Sequence, residues 1–348
     1  MKVSWSSPSN IALVKYWGKF GDQLPCNPSI SFTLKKALTN MSIEIKPHTR
    51  NQSEVNFLFE GMPSVKFSQK IHSFLSKIAN EYTWVREFDF YIESSNTFPH
   101  SSGIASSASS MSALALCLLS LDCSLKNKKL AKAEFLQIAS SLARRASGSA
   151  SRSIFPYMSL WGKLDGIDQS SDEWAVEFKL PNDTFLNFCD AIIIVDANEK
   201  SVSSRAGHDL MLTHTFREVR FAQAKRNISK LIDALKNNDL LSFVEIVEEE
   251  ALTLHALMMT SNPSYILLKP ESLLIIEKVR EFRKKTNLPL CFTIDAGPNI
   301  HLLYPQKISV EVNQWLNNEI LPFIQSSKVL FDEIGTGPVL LNGDVSFE

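Results

Sequence analysis

Apolar and polar residues alternate without a break from Met41 to Lys46, with Met41, Ile43 and Ile45 set against Ser42, Glu44 and Lys46. A period of two predicts a strand with one dry face and one wet face. Phe88, Phe90 and Ile92 repeat the pattern, and so do Trp174, Val176, Phe178 and Leu180. Between them, helical spacing runs near 68–80, 106–122 and 129–145, while AIIIVDA at 191–197 reads as a buried strand. The second half is richer in helix. Ile228, Leu231, Ile232 and Leu235 share one face by the i, i+3, i+4, i+7 rule. Helices are predicted near 205–225, 239–259, 271–285 and 308–324, with strands at 290–295, 300–304 and 328–333. These elements describe an α+β fold in two lobes around a cleft. The polar stretch from SSDEW to PND is a weak boundary, so the lobes are expected at 1–185 and 186–348.

A chain of 348 residues suits about two domains. Its formal charge of -1 provides no bulk attraction to nucleic acid or acidic membranes, so any anion site must be built locally. The basic segment FREVRFAQAKRN (216–227) is diluted by Glu218, and a solvated helix face is expected there, as it is for Glu248–Glu250. Cys26, Cys117, Cys123, Cys189 and Cys291 are scattered and never form a C-x-x-C pair, which suits reduced thiols in a reducing compartment. The first residues lack the apolar core of a signal peptide, and no segment reaches the roughly 18 apolar residues of a membrane span. A cytoplasmic protein with neither nucleic-acid nor membrane partners is expected.

Chemistry enters through the glycines. There are only 12, and Gly18, Gly103, Gly148, Gly207, Gly297 and Gly337 each sit in a polar turn beside an apolar element. Glycine is needed where φ is positive or a ligand approaches the backbone closely. In PHSSGIASSASS (99–110), Gly103 and small residues precede a helix that is apolar almost all round. Bare N–H groups and the dipole at such a helix start attract phosphate, with Ser106 and Ser107 adding hydroxyls. A serine-rich cap on a buried helix would read the same way. No G-K-[ST] follows, which excludes a Walker loop.

Three further stretches have the same character. SGSASRS (147–153) offers Ser147, Gly148 and Ser149 as an anion turn with the two-point fork of Arg152, or else a surface loop. NIALVKYWGK (10–19) sets Lys15 in an apolar strand and Lys19 one i+4 step later, either snorkelling or aimed at a buried anion. KSVSSRAGH (200–208) combines Lys200, Ser203, Ser204, Arg205 and Gly207, an anion-friendly set or an ordinary N-cap. In CFTIDAGPN (291–299) an acid, Asp295, stands where a strand meets a turn. Donors and cations for a polyanion, with one acid for proton transfer, are the ingredients of phosphoryl transfer.

Together these motifs resemble the mevalonate diphosphate decarboxylases of the GHMP small-molecule kinase superfamily, from SNIALVKYWGK through PHSSGIASSAS, SGSASRS and KSVSSRAGH to TIDAGPN and GTGP. The phosphate loop reads G-I-A-S-S where kinases of the superfamily usually show G-L-G-S-S, and the acid stands at Asp295 instead of just after the S-G pair. The resemblance implies a two-lobed GHMP-kinase-like fold, a homodimer and ATP-dependent conversion of mevalonate 5-diphosphate to isopentenyl diphosphate. The 3-hydroxyl would be phosphorylated first, then phosphate and CO₂ lost.

By the same resemblance, Asp295 takes or orients the hydroxyl proton, and Lys15 keeps that carboxylate ionised and offsets charge on the γ-phosphate. Arg152 grips the carboxylate that departs. Tyr16, Lys19, Ser147, Gly148, Ser149, Ser204 and Arg205 hold the 5-diphosphate. Ser102, Gly103, Ala105, Ser106 and Ser107 wrap the phosphates of ATP, with Mg²⁺ held largely by the nucleotide. The chain departs from family habit at His100, Ser101 and Ser102, at Pro28 and at Ala146.

The rivals are a sister enzyme for mevalonate 5-phosphate, a mevalonate 3-kinase and a non-catalytic binding protein of the same fold. Lys15 and Asp295 together argue against the kinase, and the retained acid and phosphate loop against the binding protein. The histidines show no metal-ligand spacing, and His255 is expected as a hydrogen-bonded core or cleft residue.

Overall fold

The computed structural model describes residues 1–50, 52–99, 106–180, 182–196, 198, 202, 204–324, 328–343 and 347, with only the backbone at 204 and 205. Its principal elements are β1 (Lys2–Val14), β2 (Ser29–Pro47), β3 (Val55–Phe59), α1 (Val65–Ile78), β4 (Phe88–Asn96), α2 (Ser106–Leu125), α3 (Lys132–Ala146) and β5 (Met158–Trp161). There follow β6 (Phe188–Ile194), α4 (Arg217–Asn237), α5 (Leu240–Met259), α6 (Pro270–Thr286), β7 (Cys291–Thr293), β8 (Ile300–Pro305), β9 (Lys328–Glu333) and β10 (Val339–Asn342).

A first sheet runs β10-β1-β2-β4-β3, antiparallel except between β3 and β4, with β5 laid on the early part of β2. A second runs β7-β8-β6-β9, antiparallel throughout. β10, at the far end of the chain, returns to the first sheet and sets Leu340 opposite Trp5. One core cluster spans both sheets, bringing Ile11, Leu13 and Phe32 together with Phe188, Ile228 and Phe243.

β1 and the first part of β2 escape a period-two reading for a physical reason, whereas Met41–Lys46 in the second part of β2 alternates as expected. β1 is buried at every position from Val3 to Val14, and β2 from Ser29 to Thr33 and beyond, because both faces are covered. Their polar residues go inside with partners: Ser7 Oγ lies 2.5 Å from Ser112 Oγ, and Thr39 Oγ1 lies 2.7 Å from Ser109 Oγ. Both partners are on α2, whose Ser120 Oγ accepts from Trp5 Nε1 at 3.0 Å. α2 is therefore the core helix of the first sheet. Contrary to expectation, it is long and apolar enough to cross a membrane by length and composition, but 83% of that stretch is buried inside the molecule.

Two predicted helices break. The segment expected at 205–225 forms a short helix, Ser204–Leu210, before α4 begins at Arg217. His214 makes the break: its Nδ1 accepts the Phe216 N–H at 3.1 Å, and its Nε2 lies 3.0 Å from the Leu257 carbonyl oxygen. The segment expected at 308–324 is helical over Ser309–Trp315 and then widens and tightens by turns to Phe323.

Candidate active site

β1 carries the chain through the core, so Lys15 begins a loop in the interior and is only 1% exposed. Its ammonium lies 2.8 Å from Asp295 Oδ1. Asp295 follows β7 in a turn where the Gly297 N–H donates to the Asp295 carbonyl at 2.6 Å. His255 Nε2, from α5, lies 3.1 Å from the same carbonyl. Ser272 Oγ donates to the Pro298 carbonyl at 2.7 Å, and the Val195 N–H donates to Asn299 Oδ1 at 2.7 Å. The turn is thus held at each end. The Lys15 side chain is 2% exposed and that of Asp295 26%, so the carboxylate keeps an open side on which a ligand can approach. Burial pulls the Lys15 pKa down, and Asp295 is the strongest of the groups that oppose the fall.

Arg152 sits in the turn of 3₁₀ helix Gly148–Ile154 and is 2% exposed. Its Nη1 donates to Ser29 Oγ, its Nε donates to Asn10 Oδ1 at 3.3 Å, and its guanidinium lies 5.9 Å from the Trp161 ring centroid. Burial pulls its pKa down to about 10, with Asp295 opposing most strongly, so it remains a cation at neutral pH. Solvated-arginine behaviour is excluded by this burial.

Ser147 ends α3, and Gly148 follows it where a Cβ would meet Trp161 at 2.8 Å and the Tyr16 hydroxyl at 2.9 Å. Only glycine fits there without a shift. Ser149 contributes its carbonyl to Asn10 Nδ2 at 3.1 Å. The Tyr16 ring lies 4.6 Å from that of Trp161 and 4.3 Å from that of His208. Its buried hydroxyl has no hydrogen-bond partner among the described residues. This orphaned hydroxyl, near the buried Arg152, is a place where a bound ligand or a water would supply the missing partner.

The His208 ring packs at a tilt on that of Trp17, 4.6 Å between centroids, and its Nδ1 accepts the Gly18 N–H at 3.0 Å. Burial, with help from Lys19 and Arg152, lowers its pKa to about 3, so the ring is neutral. Lys19 Nζ lies 3.8 Å from Asp209 Oδ1 on the same short helix. At Gly207, a Cβ would meet Trp17 and the Tyr265 hydroxyl at 2.6 Å each, which presses that helix onto the loop after β1.

The structure thus gathers Lys15, Asp295, Arg152, Tyr16 and Gly148 into one constellation, with Lys19 at its edge. Ser106 and Ser107 open α2, and the Ser106 carbonyl accepts from the hydroxyl of Ser109 at 3.2 Å and from that of Ser110. Ser102, Gly103 and Ala105 lie outside the described residues, as do Lys200, Ser203 and the side chains of Ser204 and Arg205. Pro28 packs on Gly162, where a Cβ would meet the Pro28 Cα at 2.5 Å, so that departure from family habit is matched by a glycine.

Two expectations are overturned. The 216–227 segment is not simply a solvated face, because Arg220 is buried. Nor is the acidic run, because Glu248 and Glu250 are buried and only Glu249 is exposed. Helical spacing carried the signal: Phe243, Val247 and Leu254 stand 7 and 3 positions before and 4 positions after Glu250, and all are core residues. Arg220 and Glu250 pair at 2.6 Å behind Lys15. Arg283 pairs with Glu248 at 2.6 Å, and His301 with Asp190 at 2.6 Å.

Residues 7–172 match the diphosphomevalonate decarboxylase-like N-terminal domain, and residues 191–339 match the mevalonate 5-diphosphate decarboxylase C-terminal domain. A diphosphomevalonate decarboxylase of Debaryomyces hansenii is 27% identical over 96% of this chain and 94% of its own length. The crystal structure of mevalonate diphosphate decarboxylase from Staphylococcus aureus superposes with a TM-score of 0.84 at 28% identity, covering 98% of both chains. MDDEF in complex with MVAPP, AMPPCP and magnesium superposes with a TM-score of 0.84 at 29% identity, covering 99% of both chains. With both halves matched and the whole fold shared, the chain belongs to the mevalonate diphosphate decarboxylase family.

Proposed function

We propose that this protein decarboxylates mevalonate 5-diphosphate at the expense of ATP, giving isopentenyl diphosphate, ADP, phosphate and CO₂. The observation that carries the reading is the buried Lys15–Asp295 contact of 2.8 Å with the Arg152 cation close by. Asp295 accepts the proton of the 3-hydroxyl as its oxygen attacks the γ-phosphorus and ADP leaves. Lys15 offsets negative charge on the moving phosphoryl group. The C3–O bond then breaks with phosphate as leaving group. Electrons of the C1–C2 bond form the C2=C3 alkene, and CO₂ departs from beside Arg152.

Tyr16, Lys19, Ser147, Gly148, Ser149, Ser204 and Arg205 are assigned to the 5-diphosphate, with the orphaned Tyr16 hydroxyl as the support for that end of the site. Ser102, Gly103, Ala105, Ser106 and Ser107 are assigned to the ATP phosphates at the start of α2. Magnesium enters with the nucleotide as part of the substrate. This fits a site whose buried charges are mainly cations, because Mg²⁺ bound to nucleotide needs few protein ligands. The solved relative that binds MVAPP, AMPPCP and magnesium supports the same ligand set.

A division near residue 185 is supported by the two family matches, which end at 172 and resume at 191. A cytoplasmic site fits the free thiols, and a homodimer carries over from the family resemblance. Incubation with Mg-ATP and mevalonate 5-diphosphate should release ADP, phosphate and CO₂ in equal amounts. ADP without CO₂ would favour the 3-kinase, and turnover confined to the 5-monophosphate would favour the sister enzyme. No ADP with any of these substrates would sink the whole reading.

A further inference from the structure

Lys15 is the first residue beyond β1, where the strand ladder ends. Side chains take over its peptide groups. Its N–H donates to Glu250 Oε2 at 2.9 Å, and its carbonyl accepts from Arg220 Nη2 and Asn27 Nδ2, each at 3.0 Å. Arg220 on α4 and Glu250 on α5 share two bonds, 2.8 Å from Nη1 to Oε1 and 2.6 Å from Nη2 to Oε2. Asn227 Nδ2 adds another to Oε1 at 2.8 Å. Both Glu250 oxygens therefore take two donors, and the pair is 1% and 0% exposed.

A buried ion pair is an expensive way to join two helices, since apolar residues of similar volume often serve stability as well or better. What apolar residues cannot do is hold the N–H and the carbonyl of one chosen residue. Here that residue bears the ammonium that meets Asp295. We propose that Arg220 and Glu250 are positioning residues, which fix the main chain of Lys15 and thereby the reach of its ammonium to Asp295 and the transferring phosphoryl group. The inference deepens the decarboxylase reading and rests on it.

The electrostatics agree with the geometry. Lys15 is faced by Asp295 from the turn after β7, Glu250 from α5, Arg152 from the Gly148–Ile154 turn and, from β6, Asp190, while Arg220 touches its carbonyl. Burial is the main influence lowering the Lys15 pKa. Asp295 and then Glu250 raise it, and Arg152 adds a smaller lowering. Neutralising Glu250 therefore lowers it further, and a reaction that needs the ammonium loses activity at lower pH.

The test uses the full chain with Mg-ATP and mevalonate 5-diphosphate. Glu250→Gln should lower kcat roughly 10- to 100-fold, the loss expected of a displacement on the order of 1 Å, and leave KM within about threefold. The alkaline limb of its pH profile should move to lower pH. The double variant Arg220→Met, Glu250→Leu replaces the pair by apolar bulk and should fold, yet show the same fall in kcat. Wild-type kcat with an unmoved alkaline limb in that double variant overturns the proposal. So does its failure to fold, which assigns the pair to stability. Lys15→Met tests the underlying reading separately: full turnover there removes Lys15 from the chemistry, a result distinct from an active double variant beside an inactive Lys15→Met.

Discussion

The ammonium of Lys15 and the carboxylate of Asp295 meet at 2.8 Å although 280 positions separate them along the chain. One stands at the end of β1 and the other in the turn after β7, and the Thr293 hydroxyl ties the two by donating to the Ala12 carbonyl at 3.4 Å. Lys15 brings charge almost without solvent access, and Asp295 brings a carboxylate open on one side. Such a pair would hold the proposed base in place for a hydroxyl that arrives from the open side.

Asp295→Asn keeps size and polarity but removes the proposed base. Turnover should fall roughly 10²- to 10⁴-fold while the diphosphate still binds, because the lost interaction acts in the transition state. Steady-state kinetics and calorimetric titration check the two halves, and near-normal turnover would remove Asp295 from the mechanism.

Tyr16→Phe deletes a hydroxyl that has no partner among the described residues. Removing an unsatisfied buried group does not harm the fold, so the melting temperature should hold or rise slightly. Affinity for the diphosphate should drop by roughly tenfold or more, as expected for a lost hydrogen bond to a charged ligand. A stability loss with unchanged affinity would contradict this assignment.

Gly148→Ala pushes a methyl group into Trp161 and the Tyr16 hydroxyl, at 2.8 and 2.9 Å. Overpacking of this kind costs about 1–3 kcal/mol. The damage should be larger in kcat/KM than in thermal stability, because Tyr16 belongs to the proposed diphosphate site and Trp161 packs against it. Equal kinetics for variant and parent would show that the turn does not touch substrate.

His208 governs an acid-side prediction. An unfolded chain takes up its proton near 6.5, the folded one only near 3, since burial and the neighbouring Lys19 and Arg152 disfavour the imidazolium. Between those values the unfolded state binds more protons, so stability falls as pH falls. Melting temperature measured from pH 7.5 down to 4 should decline, and His208→Gln should flatten that slope. An unchanged slope would mean that His208 is already protonated in the folded protein.

Alternating strands and amphipathic helices were legible where their periods report one face wet and one face dry, but the strand expected from Trp174 to Leu180 forms only over Ala175–Glu177. Ile228, Leu231, Ile232 and Leu235 are all buried on α4, and β4 carries the buried Phe90 and Ile92. β1 and the first part of β2 were harder to read because strand segments covered on both faces show no alternation. The charged residues misled most. Arg220 and Glu250 look like surface positions in any residue-by-residue reading, and only pairing makes their burial tolerable.

By itself, the sequence determined the inventory: most of the elements, the glycine turns, the cations and the acid at Asp295, together with the family resemblance they carry. These are properties of short stretches, written in local period and in residue type. The tertiary structure decided which of them meet. It brought β10 back to β1, set Lys15 against Asp295, buried Arg152 between Ser29 and Asn10, and turned Arg220 and Glu250 inward to hold the Lys15 peptide. The reason is physical: strand pairing and the desolvation of charge depend on neighbours hundreds of residues away, and no local period records them.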